Sequence, residues 1–252
     1  MRVKMRGVML GVPLGLMPPI FVASRDHCLE IGRACATVAS ETHLSRAYSI
    51  EEVVCVLQRL FPIKQFDAAV AGRYRREPLS DAVVRSLMLE GFFGPKRDDI
   101  GSILEAHRRL MVMAGGVDCR SSFRTAEALV GVTTISAHGF VAPCRDMKAE
   151  VRWLMAMLQS ERWGFLEAVS MFLWYFLHVH PFRDGNGRMS RLLLLRLVST
   201  RWGAVSEYHS VLSLLDFIER HRAHFIYSMH RTRVSDHGEF IDLLRKGLGS
   251  RG

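Results

Sequence analysis

No CxxC pair occurs among the five cysteines, Cys28, Cys35, Cys55, Cys119 and Cys144, and an odd number leaves at least one thiol unpaired. That excludes the paired-cysteine zinc modules and a fully paired disulfide scaffold, and it favours a reducing compartment. The sequence also has no internal repeat, no low-complexity block and no long polar linker, so repeat arrays are excluded and no sharp domain boundary is visible. Acidic residues are the minority: 25 Asp and Glu against 34 Lys and Arg give a formal charge of +9. Such a balance suits acidic partners, but the basic residues are spread along the chain without a finger, RNA-recognition or basic-zipper pattern. A solvated basic surface is the expectation, and nucleic acid is not an expected partner.

An unbroken apolar run of membrane-spanning length is missing too. The stretch MRVKMRGVMLGVPLGLMPPIFVAS begins basic and turns apolar, the outline of a secretory signal, but Pro13, Pro18 and Pro19 interrupt it. The expectation is a cytoplasmic protein with no membrane association and an irregular apolar amino-terminal segment; the alternative is a secreted effector.

What is present is helical periodicity over 252 residues that are 49% hydrophobic, enough for one large domain with an appendage. Ile50, Val53, Val54 and Leu57 recur at three and four after Ser49, a capping residue. The same period predicts helices near 80–90, 97–114, 146–159, 164–178, 188–200, 211–230 and 237–247. Gly91, Gly94, Pro95, Gly115, Gly116 and Pro181 mark the breaks. The fold class is therefore mainly α. Only ALVGVTTISAHGFVAP, residues 128–143, reads otherwise: β-branched residues on both sides of its centre suit a short β-hairpin, with a connecting loop as the alternative that these residues alone favour.

The chemistry concentrates in HVHPFRDGNGRMSR, residues 178–191. The preceding FLEAVSMFLWYFLHV is apolar nearly all round, a buried central helix that delivers His180 at Pro181. After it, Gly185 and Gly187 permit close backbone approach, and the next helix offers its first free N–H groups to an anion. Arg188 and Arg191, three apart, are expected to fork around phosphate oxygens. Asp184 suits Mg²⁺ placed between it and a phosphate. His178, His180 and Asp184 are also metal-ligand types, but a His-x-His across a helix end does not bring three ligands to one face.

HPFRDGNGRMSR matches the Fic-domain signature, His-Pro-Phe-x-Asp-Gly-Asn-Gly-Arg-x-x-Arg, at every defined position, and weaker likeness runs from Ser86 to the carboxyl end. The chain thus resembles the Fic family. The resemblance implies a Fic-type helical domain over residues 77–248 with a short hairpin flap at 128–143; residues 1–76 lie outside it and are expected, from their apolar spacing, to be a helical extension of unknown role. It implies transfer of AMP from ATP, with Mg²⁺, to a Tyr, Thr or Ser hydroxyl exposed on a protein target. His180 would be the general base and Asp184 the metal ligand. Phe182 would anchor the nucleotide-binding loop, Gly185, Asn186 and Gly187 would form its anion hole, and Arg188 and Arg191 would hold the β and γ phosphates. Flap residues Thr133, Thr134, Ile135, Gly139, Phe140 and Val141 would pair with the target's backbone. Gly187 stands where Doc-like kinases carry Lys, which argues against phosphate transfer. SLMLEG, with Ser86, Glu90 and Gly91, fits the family's inhibitory pattern on a helix over 79–91, where Glu90 would pair with Arg191 and make the chain self-inhibited. The alternatives are a nucleotide-binding regulatory module, removal of AMP, and transfer of another nucleotide or of phosphocholine. A homo-oligomer is left open.

Overall fold

The computed structural model describes residues 20–36, 48–61, 63–67, 73–77, 80, 99–113, 121–130, 139–201, 205–234 and 236–249. Two helices open the chain. Helix α1, Arg25–Ala36, places Cys28, Ile31, Gly32 and Cys35 on one buried stripe. Helix α2, Ile50–Leu60, starts at a capping box in which Ser49 Oγ accepts from Glu52 N at 3.2 Å and Glu52 Oε2 accepts from Ser49 N at 2.8 Å.

An antiparallel pair follows, β1 Ile63–Asp67 and β2 Arg73–Glu77. The sequence pattern predicts no strand in this segment, and the structure pairs two. IKQFD and RYRRE do not alternate apolar with polar residues, so the period-2 signal is absent and the pairing itself supplies the backbone partners.

The remainder is helical, apart from the expected hairpin. Helix α3 is Ile100–Met113, with Asp99 Oδ1 accepting from Ser102 N at 2.7 Å at its start. Strands β3, Ala128–Val130, and β4, Phe140–Ala142, pair antiparallel. Next come α4 Met147–Gln159, α5 Phe165–Val179, α6 Asn186–Arg201, α7 Val205–Arg220, α8 Arg222–Arg231 and α9 Gly238–Gly249. The single helix expected over 211–230 is two helices, with a turn at His221, whose Nδ1 is bonded to the Phe217 carbonyl at 3.0 Å.

Helix α5 is the axis of the core, because a helix apolar on every side must be covered on every side. Helices α1, α4 and α6 pack against it, while α7 packs on α2, α6 and α9. Helix α1 approaches so closely that a Cβ on Gly32 would lie 2.6 Å from Met171 Sδ, so any larger residue there would make the Met171 side chain move. Cys35 Sγ lies 3.1 Å from Ser170 Oγ across the same contact. Trp174, fully buried, donates from Nε1 to Thr232 Oγ1 at 2.7 Å and ties the axis to the turn after α8. No described helix is long and apolar enough to cross a membrane.

Candidate active site

The axis ends at His180 in a left-handed conformation, φ 52° and ψ 61°. For a residue with a Cβ this costs about 1–2 kcal/mol, so other contacts must hold it. Arg124, buried, supplies them. Its guanidinium donates to the carbonyls of His180 at 2.8 Å, Val179 at 3.0 Å, Pro143 at 2.8 Å and Ala126 at 2.5 Å. One side chain thus caps the last carbonyls of α5 and joins them to both ends of the hairpin.

The His180 ring is fixed in its tautomer. Nδ1 lies 3.2 Å from the Leu177 carbonyl, which only accepts, so Nδ1 carries the proton and Nε2 keeps its lone pair. Burial pushes the pKa down to about 4, with the nearby Arg124 charge adding to the effect, and the ring is neutral at pH 7. His178 plays another part. It is 2% exposed, its Nδ1 is bonded to the Trp174 carbonyl at 2.8 Å, and its ring stacks on Phe140. It belongs to an aromatic layer rather than to a metal centre with His180 and Asp184.

The loop from Pro181 to Gly185 is held from below. Phe182 is 0% exposed and lies face to face on His107, with centroids 3.9 Å apart. It therefore anchors the loop and offers no surface to a ligand. Asn186 is buried as well, accepting from Phe182 N at 2.9 Å and donating to Phe182 O at 2.7 Å. Its side chain locks the loop, so only its backbone remains for the anion hole the sequence suggested. His107 completes the support: Nε2 donates to the Asp184 carbonyl at 2.9 Å, which leaves Nδ1 to accept from Ser121 Oγ at 2.9 Å. Gly185 is required by φ 81° and by space, since a Cβ there would meet Met111 Sδ at 2.8 Å.

The charged residues sit around the start of α6. The Asp184 side chain is 57% exposed; one carboxylate oxygen accepts from Gly185 N at 2.6 Å and the other lies 3.8 Å from Arg188 Nη2. The two arginines rest on different groups. Arg188 reaches toward α3, with Nη2 3.6 Å from Met111 Sδ. Arg191 reaches toward α2 and α7, donating to the Leu60 carbonyl at 2.6 Å and pairing with Glu219 at 3.2 Å, while its Nε donates to Gly187 O at 2.9 Å. Helical spacing put them near one face, but each follows the acceptors packed beside it.

A cavity of about 210 Å³ opens beside this turn, between the hairpin and α5 to α8. His180, Gly187 and Arg191 line one side, and Leu215, Ile218 and Phe225 line the apolar side. A basic turn at one end of an apolar slot, with a neutral imidazole at its rim, suits an amphiphilic anion.

Residues 99–198 match the Fic/DOC family, a span that starts at the cap of α3 and runs to near the end of α6. Over that span the chain is similar to Fic/DOC domains. Over 152 residues it is 32% identical to Protein adenylyltransferase fic-1 of Caenorhabditis briggsae, a stretch covering 58% of this chain and 26% of that protein. The chain thus spans about a quarter of that relative's length. A Fic family protein from Desulfovibrio desulfuricans G20 shares the fold, with a TM-score of 0.55 at 19% identity, over 88% of this chain and 61% of the other. Fic-1 from C. elegans aligns with a TM-score of 0.46 at 18% identity, over 89% of this chain and 69% of that one.

In this structure the hairpin is already engaged. Ile20 bridges Val141, and Phe21 N donates to Val141 O at 3.0 Å, on the edge of β4 away from β3. Strand addition by a target at Val141 would have to displace those residues. Gly139 and Phe140 are buried, Phe140 at 6% exposure, so they support the hairpin from inside. Thr133, Thr134 and Ile135 lie outside the described residues, as do Ser86, Glu90 and Gly91. Arg124, His107 and Glu219 escaped the sequence reading. His107 had one signal, a histidine on the apolar stripe of a helix; Arg124 and Glu219 had none, since nothing in their local spacing marks them.

Proposed function

We propose that this chain transfers AMP from ATP, with Mg²⁺, to a Tyr, Thr or Ser hydroxyl of a protein target. The observation that carries the reading is His180: its Nδ1 is committed to the Leu177 carbonyl, and its ring lines the cavity with Gly187 and Arg191. As the target oxygen attacks the α-phosphorus, its proton passes to His180 Nε2. The bond to the bridging oxygen breaks and pyrophosphate leaves, held by the N–H groups at the start of α6 and by Arg188 and Arg191. The pKa of about 4 applies without nucleotide; a triphosphate beside the ring favours the imidazolium and brings the base toward its working range.

Asp184 fits Mg²⁺, because this ion is commonly held by one or two carboxylates together with substrate phosphates, and Asp184 presents one exposed carboxylate beside the expected phosphate position. The ion supplies charge neutralisation at the phosphate oxygens when bound. The apolar side of the cavity suits a purine and its sugar. Glu90 is assigned the inhibitory role, competing with the γ-phosphate for Arg191.

Transfer is tested by incubating the protein with ATP labelled at the α or the γ position and a cell lysate. Label from the α position, and none from the γ position, should remain on protein. Absence of α label with wild type and with Glu90→Gly would overturn the proposal, and a better yield from another nucleotide donor would reassign the transferred group.

A further inference from the structure

Away from the Fic site, three side chains with metal-binding atoms converge where α1 meets the start of α9. His27 and Glu30 are three residues apart on α1 and so share a face, and His237 directly precedes α9. One ligand atom from each lies within 4.8 Å of the other two. His27 Nε2 and His237 Nδ1 are buried and have no hydrogen-bond partner among the described residues. Buried polar atoms are normally satisfied, so two unsatisfied ring nitrogens beside one carboxylate call for a common partner.

The His27 ring is held by packing: it lies against Trp174, tilted by 36° with centroids 4.7 Å apart. His237 brings its ring within 5.0 Å of the His27 ring, centroid to centroid, and Glu30 approaches from the exposed side.

We propose that His27, Glu30 and His237 bind a divalent transition cation of the zinc class, joining α1 to α9. Two imidazole nitrogens and one carboxylate oxygen suit Zn²⁺ with water in the fourth position, whereas Mg²⁺ and Ca²⁺ take oxygen ligands. Bonds of about 2.0–2.2 Å in a tetrahedral site put ligand atoms roughly 3.4 Å apart. The triad therefore closes by up to about 1.4 Å on binding, a shift within reach of side-chain rotation. The consequence is mechanical: α1 packs on α5, α9 packs on α7 and α8, and the ion couples the two ends of the described chain. The alternative occupant is a water molecule bridging the same atoms.

The experiment uses the full chain, stripped with a chelator and titrated with Zn²⁺ by calorimetry and with Co²⁺ by its visible absorption. We expect one ion per chain, a tetrahedral Co²⁺ spectrum and a melting midpoint that rises with Zn²⁺. Glu30→Ala should weaken binding by about tenfold or more, and His237→Ala by more than that. Asp184→Ala, at the separate phosphate site, should bind Zn²⁺ as wild type does. Because Glu30 is exposed, Glu30→Ala keeps the fold and decides the matter even if a histidine variant does not. No stoichiometric binding to wild type would overturn the proposal in favour of water, and Glu30→Ala affinity equal to wild type would place the ion elsewhere.

Discussion

Arg124→Ala tests how the strained end of α5 is held. Arg124 is 4% exposed, and its guanidinium serves four carbonyls. Water can reach the carbonyls at the hairpin, because Ala126 is exposed and Pro143 half-buried. The Val179 and His180 carbonyls, at the end of the buried axis, lose their partner outright. Two hydrogen bonds to a charged donor, at about 1.5–3 kcal/mol each, give about 3–6 kcal/mol of lost stability. Against a typical total of about 5–15 kcal/mol this is large enough to unfold a marginal domain, so Arg124→Lys is measured beside it. A lysine reaches one or two of the acceptors and should cost about half as much. Urea denaturation at 25 °C reads both losses. A second readout separates positioning from stability: once the clamp is gone His180 relaxes from φ 52°, so AMP transfer by folded Arg124→Lys should fall by about tenfold or more while ATP affinity changes by a few-fold at most. A loss under about 1 kcal/mol in Arg124→Ala, with an unchanged transfer rate, would refute the assignment of Arg124 as the clamp.

His180→Ala should lower transfer by about two to four powers of ten with ATP binding largely kept, and a wild-type rate in this variant would remove His180 as the base. Gly185→Ala should destabilise by about 1–2 kcal/mol or more, since φ is 81° and the new Cβ would meet Met111 Sδ at 2.8 Å. Gly187→Ala should fold normally, because its Cβ would meet Arg191 Nη2 only at 3.6 Å; equal thermal midpoints for the two variants would contradict this contrast. Glu90→Gly should raise transfer by about tenfold or more, a change of about 1.4 kcal/mol, and Glu90→Gly with His180→Ala should be silent. Label at or below the wild-type level in the single variant would leave SLMLEG as the end of a helix. Burial pushes His178 down to about 3 and His180 to about 4, both below the ordinary 6.5, so between those values the unfolded chain binds more protons than the folded one. Stability from these two groups is therefore complete above pH 6.5 and declines as pH falls toward 4, and a melting midpoint that stays flat from pH 7 to pH 4.5 would show that they titrate normally.

The sequence by itself determined what is local. The period of apolar residues located α2 to α6 and α9, Ser49 marked the start of α2, and the β-branched residues taken with the Fic resemblance pointed to the 128–143 hairpin, because helical and strand hydrogen bonding is satisfied within or between neighbouring segments. The Fic signature was legible for the same reason: histidine, carboxylate, glycines and helix start occupy one turn, so their order in the chain is nearly their order in space. Contacts between segments were decided by tertiary structure alone. Arg124 reaches His180 across 56 positions, Arg191 meets the Leu60 carbonyl across 131, and Tyr48 N donates to His209 across 161. No spacing rule covers such distances. Packing around α5 set the tautomer of His180, buried Phe182 and Asn186 beneath the loop, gave Arg188 and Arg191 different partners, laid Phe21 along β4, and brought His27 and His237 together. Each of these follows from which carbonyls and rings happen to face one another once the apolar surfaces are buried, and that information exists only when the chain is folded.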